Sequence, residues 1–239
     1  MDRYTRHQLK HDDFQEKLEA LQVIAEEHLK QIIMIGVALI VVAGTVWWIR
    51  NHNAHQEALA NAGLQNAITT FHAYVGSGQE SSLLGPGQSY PTAQAKYQEA
   101  LTQFSEVVKN YPRTKAAGYA LIQMGVCQSL LGNEATAVKT LQDAGKNSDH
   151  GIASQARFAL AGVLAKTGKT DEAAKIYQNL ADHPTTMVPR ATALLAMADV
   201  YRATQPKRAR EIYQQVQKEF GSDAVIADVL KQQLATLPQ

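Results

Sequence analysis

From Ile32 to Ile49 the chain reads IIMIGVALIVVAGTVWWI, eighteen residues without a charge. A buried helix of a soluble protein ordinarily keeps a polar face, and this stretch has none over about five turns. At about 1.5 Å per residue it measures about 27 Å as a helix, close to the thickness of a bilayer core. The pattern predicts a transmembrane helix over 32–49, bracketed by Lys30 and Arg50, with Trp47 and Trp48 at the headgroup boundary. No later stretch stays apolar and uncharged long enough for a second span.

Before the span, residues 1–31 form a tail with helical periodicity. Phe14, Leu18, Leu21, Ala25 and Leu29 fall on one face, and Asp13 with Glu16 can close a capping box. The face is either a docking surface or an extension of the span along the lipid. A cleavable leader would have a short basic start and a small-x-small site just behind the apolar run. Ala58-Leu59-Ala60 lies nine residues beyond Ile49, so the segment is expected to stay as an anchor.

After the span, residues 50–239 repeat one pattern: an alanine, a ring or Leu four positions on, and an apolar residue three further. Ala100, Phe104 and Val107 form the first trio. Ala137, Leu141 and Ala144 form the second, Ala173, Tyr177 and Leu180 the third, and Ala209, Tyr213 and Val216 the fourth. The alanines stand 37, 36 and 36 residues apart. Steps of four and three place each trio on one helix face, where the small alanine admits a neighbouring helix and the ring fills the space beside it. Each trio is preceded by another helix, with Leu121, Met124 and Gly125 marking one of these. Gly132 and Gly168 sit between the paired helices, where a left-handed residue ends the first of them. Pro112 and Pro184 close two units. The leading helix is predicted over 56–75, with Ala60, Leu64, Ile68, Phe71 and Val75 on one face. A stretch rich in Gly, Ser and Pro, 76–91, reads as an inserted, exposed and flexible loop. A last helix over about 223–237 caps the open apolar face.

This pattern resembles the tetratricopeptide repeat, although the period is longer than that family's ~34. The fold class is all-α: a single transmembrane helix followed by a tetratricopeptide-repeat-like α-solenoid. Stacked helix pairs curve, and their first helices line the concave face. Aligning the units on their alanines places Tyr119, Ile122, Val126 and Ser129 there from one unit, Gln155, Phe158 and Lys166 from the next, and Leu194, Tyr201 and Arg202 from the third. Such a surface suits an apolar helix or extended peptide. Each ring among these residues is either groove or core between units.

Charge and chemistry narrow the picture. Twenty-three Lys and Arg against 22 Asp and Glu leave no basic surface of the kind nucleic acid needs. Arg3, Arg6, Lys10, Lys17 and Lys30 precede the span, whereas Arg50 stands alone after it until Lys96. The excess predicts a cytoplasmic N-terminus and a periplasmic repeat domain. The lone cysteine, Cys127, cannot form an internal disulfide and reads as a buried apolar residue. Gly168-Lys169-Thr170 imitates the end of a nucleotide-binding loop, but Val163 stands where that loop needs glycine. The pairs His7/His11 and His52/His55 have no third ligand at supporting spacing. No enzyme, metal, cofactor or small-molecule substrate is expected.

The junction WWIRNHNAHQEAL, with its tryptophan-rich end, basic residue and polar His-Gln stretch, resembles the YfgM-like ancillary subunit of the bacterial Sec translocon. That resemblance implies a scaffold in the inner membrane that binds translocon subunits, periplasmic chaperones or emerging chains. The alternative is a repeat scaffold for envelope assembly or cell-wall coordination.

Overall fold

The computed structural model describes residues 3–76 and 89–237. By packing the chain divides into two units, Met1–His55 and Gln56–Gln239. Helix α1 (Arg3–Phe71) belongs in its first part to one and in its last turns to the other.

In the first unit the helix is already running at Arg3, so Asp13 does not start it as the capping box predicted. Favourable helix-forming residues on both sides carry the backbone through that signal. Among the described residues one helix is long and apolar enough to cross a membrane, and this is it. Its apolar side chains are uncovered by protein: Ile40 is 73% exposed and Trp47 68%. The hydroxyl of Thr45 donates to the Val42 carbonyl (2.8 Å), which satisfies its donor inside the helix. Trp48 stacks on His52 with ring centroids 5.6 Å apart.

The second unit is built from helix pairs. The last turns of α1 pair with α2 (Ala93–Asn110), and α3 (Lys115–Leu130) with α4 (Glu134–Ala144). Helix α5 (His150–Lys166) pairs with α6 (Thr170–Asp182), and α7 (Arg190–Tyr201) with α8 (Pro206–Phe220). Helix α9 (Ala224–Ala235) closes the stack against α8. From α2 onward each helix packs on the next, and α3 also touches α5. All twelve residues of the four sequence trios are buried, none more than 4% exposed. They lie on the second helix of each pair, and the core is continuous from α3 to α9. A smaller cluster joins Leu64 and Ala67 of α1, Phe104 of α2, and Ala120 and Cys127 of α3. Burial pushes the Cys127 thiol up to about 12, which leaves it protonated and inert.

The turns inside the pairs follow the sequence. Gly132 and Gly168 adopt φ of 82° and 80°. Each lets the next amide reach back over the helix end: Asn133 N–H to the Gln128 carbonyl (2.8 Å), Lys169 N–H to that of Leu164 (2.9 Å). Helix starts are capped by Thr92, Thr114, Asp149 and Asp223. Helix α3 gains a second cap from afar, because the Glu57 carboxylate of α1 accepts from the Lys115 and Ala116 amides (2.9 and 3.0 Å).

The leading helix stops at Phe71 rather than continuing to Val75. Tyr74–Val75 (β1) instead pairs in parallel with Ser89–Tyr90 (β2), and Gly76 N–H donates to the Tyr90 carbonyl (3.0 Å). The Lys96 ammonium holds the Ala73 carbonyl beyond the helix end (3.2 Å). These contacts tie the two ends of the 76–91 insertion together. Its interior, 77–88, lies outside the described residues, as does the flexibility expected of it.

Asp149 links two units. It accepts from the Gly151 and Ile152 amides (2.9 and 3.2 Å), and Lys115 approaches its other oxygen (3.2 Å). The Ile152 amide first, then Lys115, hold its carboxyl below the usual range. The stability it adds is present above the ordinary Asp value of about 4 and is lost as pH falls through the lowered one. Thermal midpoints should therefore fall from about pH 5 to about pH 3. Asp149→Asn keeps a capping oxygen without the charge and should flatten part of that slope. An unchanged slope in this variant would assign the titration to other carboxylates.

Candidate protein-interaction surface

The first helix of each pair has one face in the core and one outside it. On α3 the outer stripe is Tyr119, Gln123, Val126 and Leu130, half-buried except for Leu130, which is 46% exposed. On α5 it is Gln155, Phe158, Gly162 and Lys166. On α7 it is Thr192, Leu195 and Asp199. The steps of three and four keep each stripe on one side of its helix.

The structure sorts the sequence-derived groove residues into three groups. Tyr119, Val126, Gln155, Phe158 and Lys166 lie on the outer stripes. Tyr119 also packs against both core clusters, and Phe158 meets the Tyr177 ring edge-on at 5.1 Å. Both rings are thus half core and half surface. The Gln155 amide has only a long contact, 4.0 Å, to the Met187 sulfur.

Ile122, Leu194 and Tyr201 form the second group, and they are core: 6%, 1% and 2% exposed. On α7 the residues Ala191, Leu194, Ala198 and Tyr201 share a face, and that face is buried under the neighbouring helices. The stripe open to a partner there runs through Leu195 and Asp199 instead. Ser129 is likewise buried, 6% exposed.

The third group is engaged in holding the stack together. Lys166 donates to the Ser129 carbonyl at the end of α3 (2.7 Å) and pairs with Glu134 at the start of α4 (2.8 Å). Its stem still borders the stripe, but its charge is committed. Arg202 donates to Gln233 of α9 and to Thr236 just after it (2.6 and 2.9 Å), so it fastens the cap rather than lining a groove. Beside it, Tyr213 donates a short hydrogen bond to Asp199. Burial, then this bond, push the Tyr213 hydroxyl well above the usual tyrosine range. Burial, helped by the Asp199 charge, pushes Tyr177 up to about 12. These phenols stay neutral and serve packing.

Sequence reasoning missed Gln123, Leu130, Leu195 and Asp199. Their polar and apolar mixture gives no periodic signal, and only packing shows that they remain outside. Among the described residues no group of three or more His, Cys, Asp and Glu is placed to hold a metal ion.

The tetratricopeptide-repeat model matches residues 119–148, 155–186 and 192–222. Those ranges coincide with the pairs α3–α4, α5–α6 and α7–α8, so the chain carries tetratricopeptide repeats in the register of the alanine trios. Neither the comparison with curated proteins nor that with solved structures gave a match.

Proposed function

We propose that this chain of tetratricopeptide repeats is a membrane-anchored scaffold of the bacterial inner membrane. Its N-terminus is cytoplasmic and its repeats face the periplasm. There it serves as an accessory subunit of the Sec translocon that binds periplasmic chaperones or emerging chains. The observation that carries the scaffold reading is the half-exposed aromatic and apolar stripe on successive first helices, Tyr119 and Val126 followed by Phe158. Rigid aromatic side chains give large contact area at low entropy cost, and a few such anchors dominate most interfaces. The anchor is supported by the uncovered apolar side chains of 33–49. The orientation is supported by the basic residues before the span, and the translocon by the resemblance of the Trp47–Leu59 junction.

Two measurements test this. A reporter active only in the periplasm, fused after Gln239, should be active, and activity of a cytoplasm-only reporter in its place would reverse the topology. A photocrosslinking residue at Phe158 should give adducts with translocon subunits or periplasmic folding factors in intact membranes. Adducts confined to envelope-assembly or cell-wall proteins would move the reading to that alternative. Failure to crosslink at Phe158, with adducts from a residue off the stripe, would move the binding surface.

A further inference from the structure

A cleft of about 350 Å³ opens between α6 and α8 beside α7. Its walls include Lys175 and Gln178 of α6, Met197 and Tyr201 of α7, and Arg208 of α8. It shares no residue with the outer stripes of α3, α5 and α7, so it stands or falls independently of the reading above.

The cleft is short of acceptors. Arg208 lies over the Tyr201 ring, 4.2 Å from its centroid, and this cation–π contact fixes the guanidinium at the mouth. Neither Arg208 nor Lys175 forms an ion pair or hydrogen bond with a described residue, in contrast to Lys115, Lys166, Arg190 and Arg202. Tyr201 lines the cleft, and its hydroxyl, which has no hydrogen-bond partner among the described residues, remains accessible. The Gln178 amide is already given to Asp182 (2.9 Å). One carboxylate, Asp171, borders the cleft from the first turn of α6.

The start of α8 points the same way. Its N-cap, Gln205, makes no side-chain cap, Pro206 follows, and the first turn has no acidic residue. Lys207 and Arg208 occupy that turn instead, and Arg210 follows it. Helix N-termini carry partial positive charge and usually gather Asp and Glu. Cations there are unfavourable for the isolated helix and favourable for one that receives an anion. The net charge of the chain is only +1, so this is a local patch and not a general basic surface.

We propose that the α6–α8 cleft docks an acidic segment of a partner protein. A Glu or Asp carboxylate of that segment sits between Lys175 and Arg208 and accepts from the Tyr201 hydroxyl. The side-chain stem of the bound residue lies against Met197 and the Tyr201 ring. Lys207 and Arg210 attract the flanking acidic residues.

The test is fluorescence anisotropy of a labelled hexaglutamate peptide with the full-length protein in non-ionic detergent. Saturable binding is expected, weakening by about fivefold or more between about 50 and about 300 mM salt. Lys175→Gln with Arg208→Gln should weaken it by about tenfold or more with the melting temperature unchanged, since both side chains are exposed. Tyr201→Phe should weaken it less, and Asp171→Asn should tighten it. The proposal is overturned if hexaglutamate fails to saturate by about 1 mM, well above the range of specific peptide docking. It is also overturned if the double variant binds as the parent does. Charge-dependent capture of phosphatidylglycerol vesicles, without peptide binding, would overturn it in favour of a lipid headgroup.

Discussion

Phe104→Ala should lower the stability of the repeat domain by about 3–5 kcal/mol, the usual cost of truncating a fully buried ring. Phe104 has no exposed surface and sits in the cluster that joins α1, α2 and α3. Deletion of the ring leaves a cavity between helices that cannot collapse without drawing α1 and α3 inward. Its consequences should reach past its own pair, because each unit is stabilised through its neighbours. Urea unfolding would give the magnitude, and amide exchange should show lost protection in residues 60–71 and 116–127. A midpoint shift worth a few tenths of a kcal/mol would mean that the ring is not enclosed and the packing described here is wrong.

The second large effect comes from adding a single methyl group. Gly125 lies inside α3, and a Cβ there would meet Leu141 Cγ at 2.5 Å. That atom is the branch point of a side chain with no exposed surface, so it has no free direction in which to move. Gly125→Ala should therefore destabilise by about 1–3 kcal/mol, the usual range for overpacking. This happens although alanine is the better helix former by about 0.5–1 kcal/mol. The same change at Gly162 in α5 should do the opposite. A Cβ there meets only the Tyr177 hydroxyl oxygen at 3.6 Å, an ordinary contact, so the propensity gain survives. Combining Gly125→Ala with Leu141→Ala removes the clashing Cγ, so the double variant should lose less than the two single losses added together. Thermal unfolding of these variants decides the matter, and equal effects at Gly125 and Gly162 would refute the packing argument.

The repeat architecture was legible in the sequence because its signals are local and periodic. The step of four and three marks a helix face, a spacing of 36 or 37 marks a unit, and Gly132 and Gly168 mark backbone that only glycine adopts easily. Ala100, Phe104 and their counterparts carry both signals at once, and all of them are buried. The long apolar helix was legible for the same reason, since Ile32 to Ile49 is apolar on every side. Caps were less secure. Asp223 starts α9 as its type suggests, but Asp13 lies within a helix that begins before it.

Which side of a helix meets a partner was decided only in three dimensions. Leu194 and Tyr201 keep the same spacing whether they face a groove or the core, and periodicity identifies a face without saying what covers it. The connection between α6 and α7, the stacking of α3 on α5 and the closure by α9 determine the covering. They turn Leu194 and Tyr201 inward, leave Leu195 and Asp199 outside, and commit Lys166 and Arg202 to neighbouring helices. The unpaired cations around Tyr201 were invisible for a related reason. Lys175 and Arg208 are 33 positions apart in the chain, and only the packing of α6 and α8 on the intervening α7 brings them to one cleft.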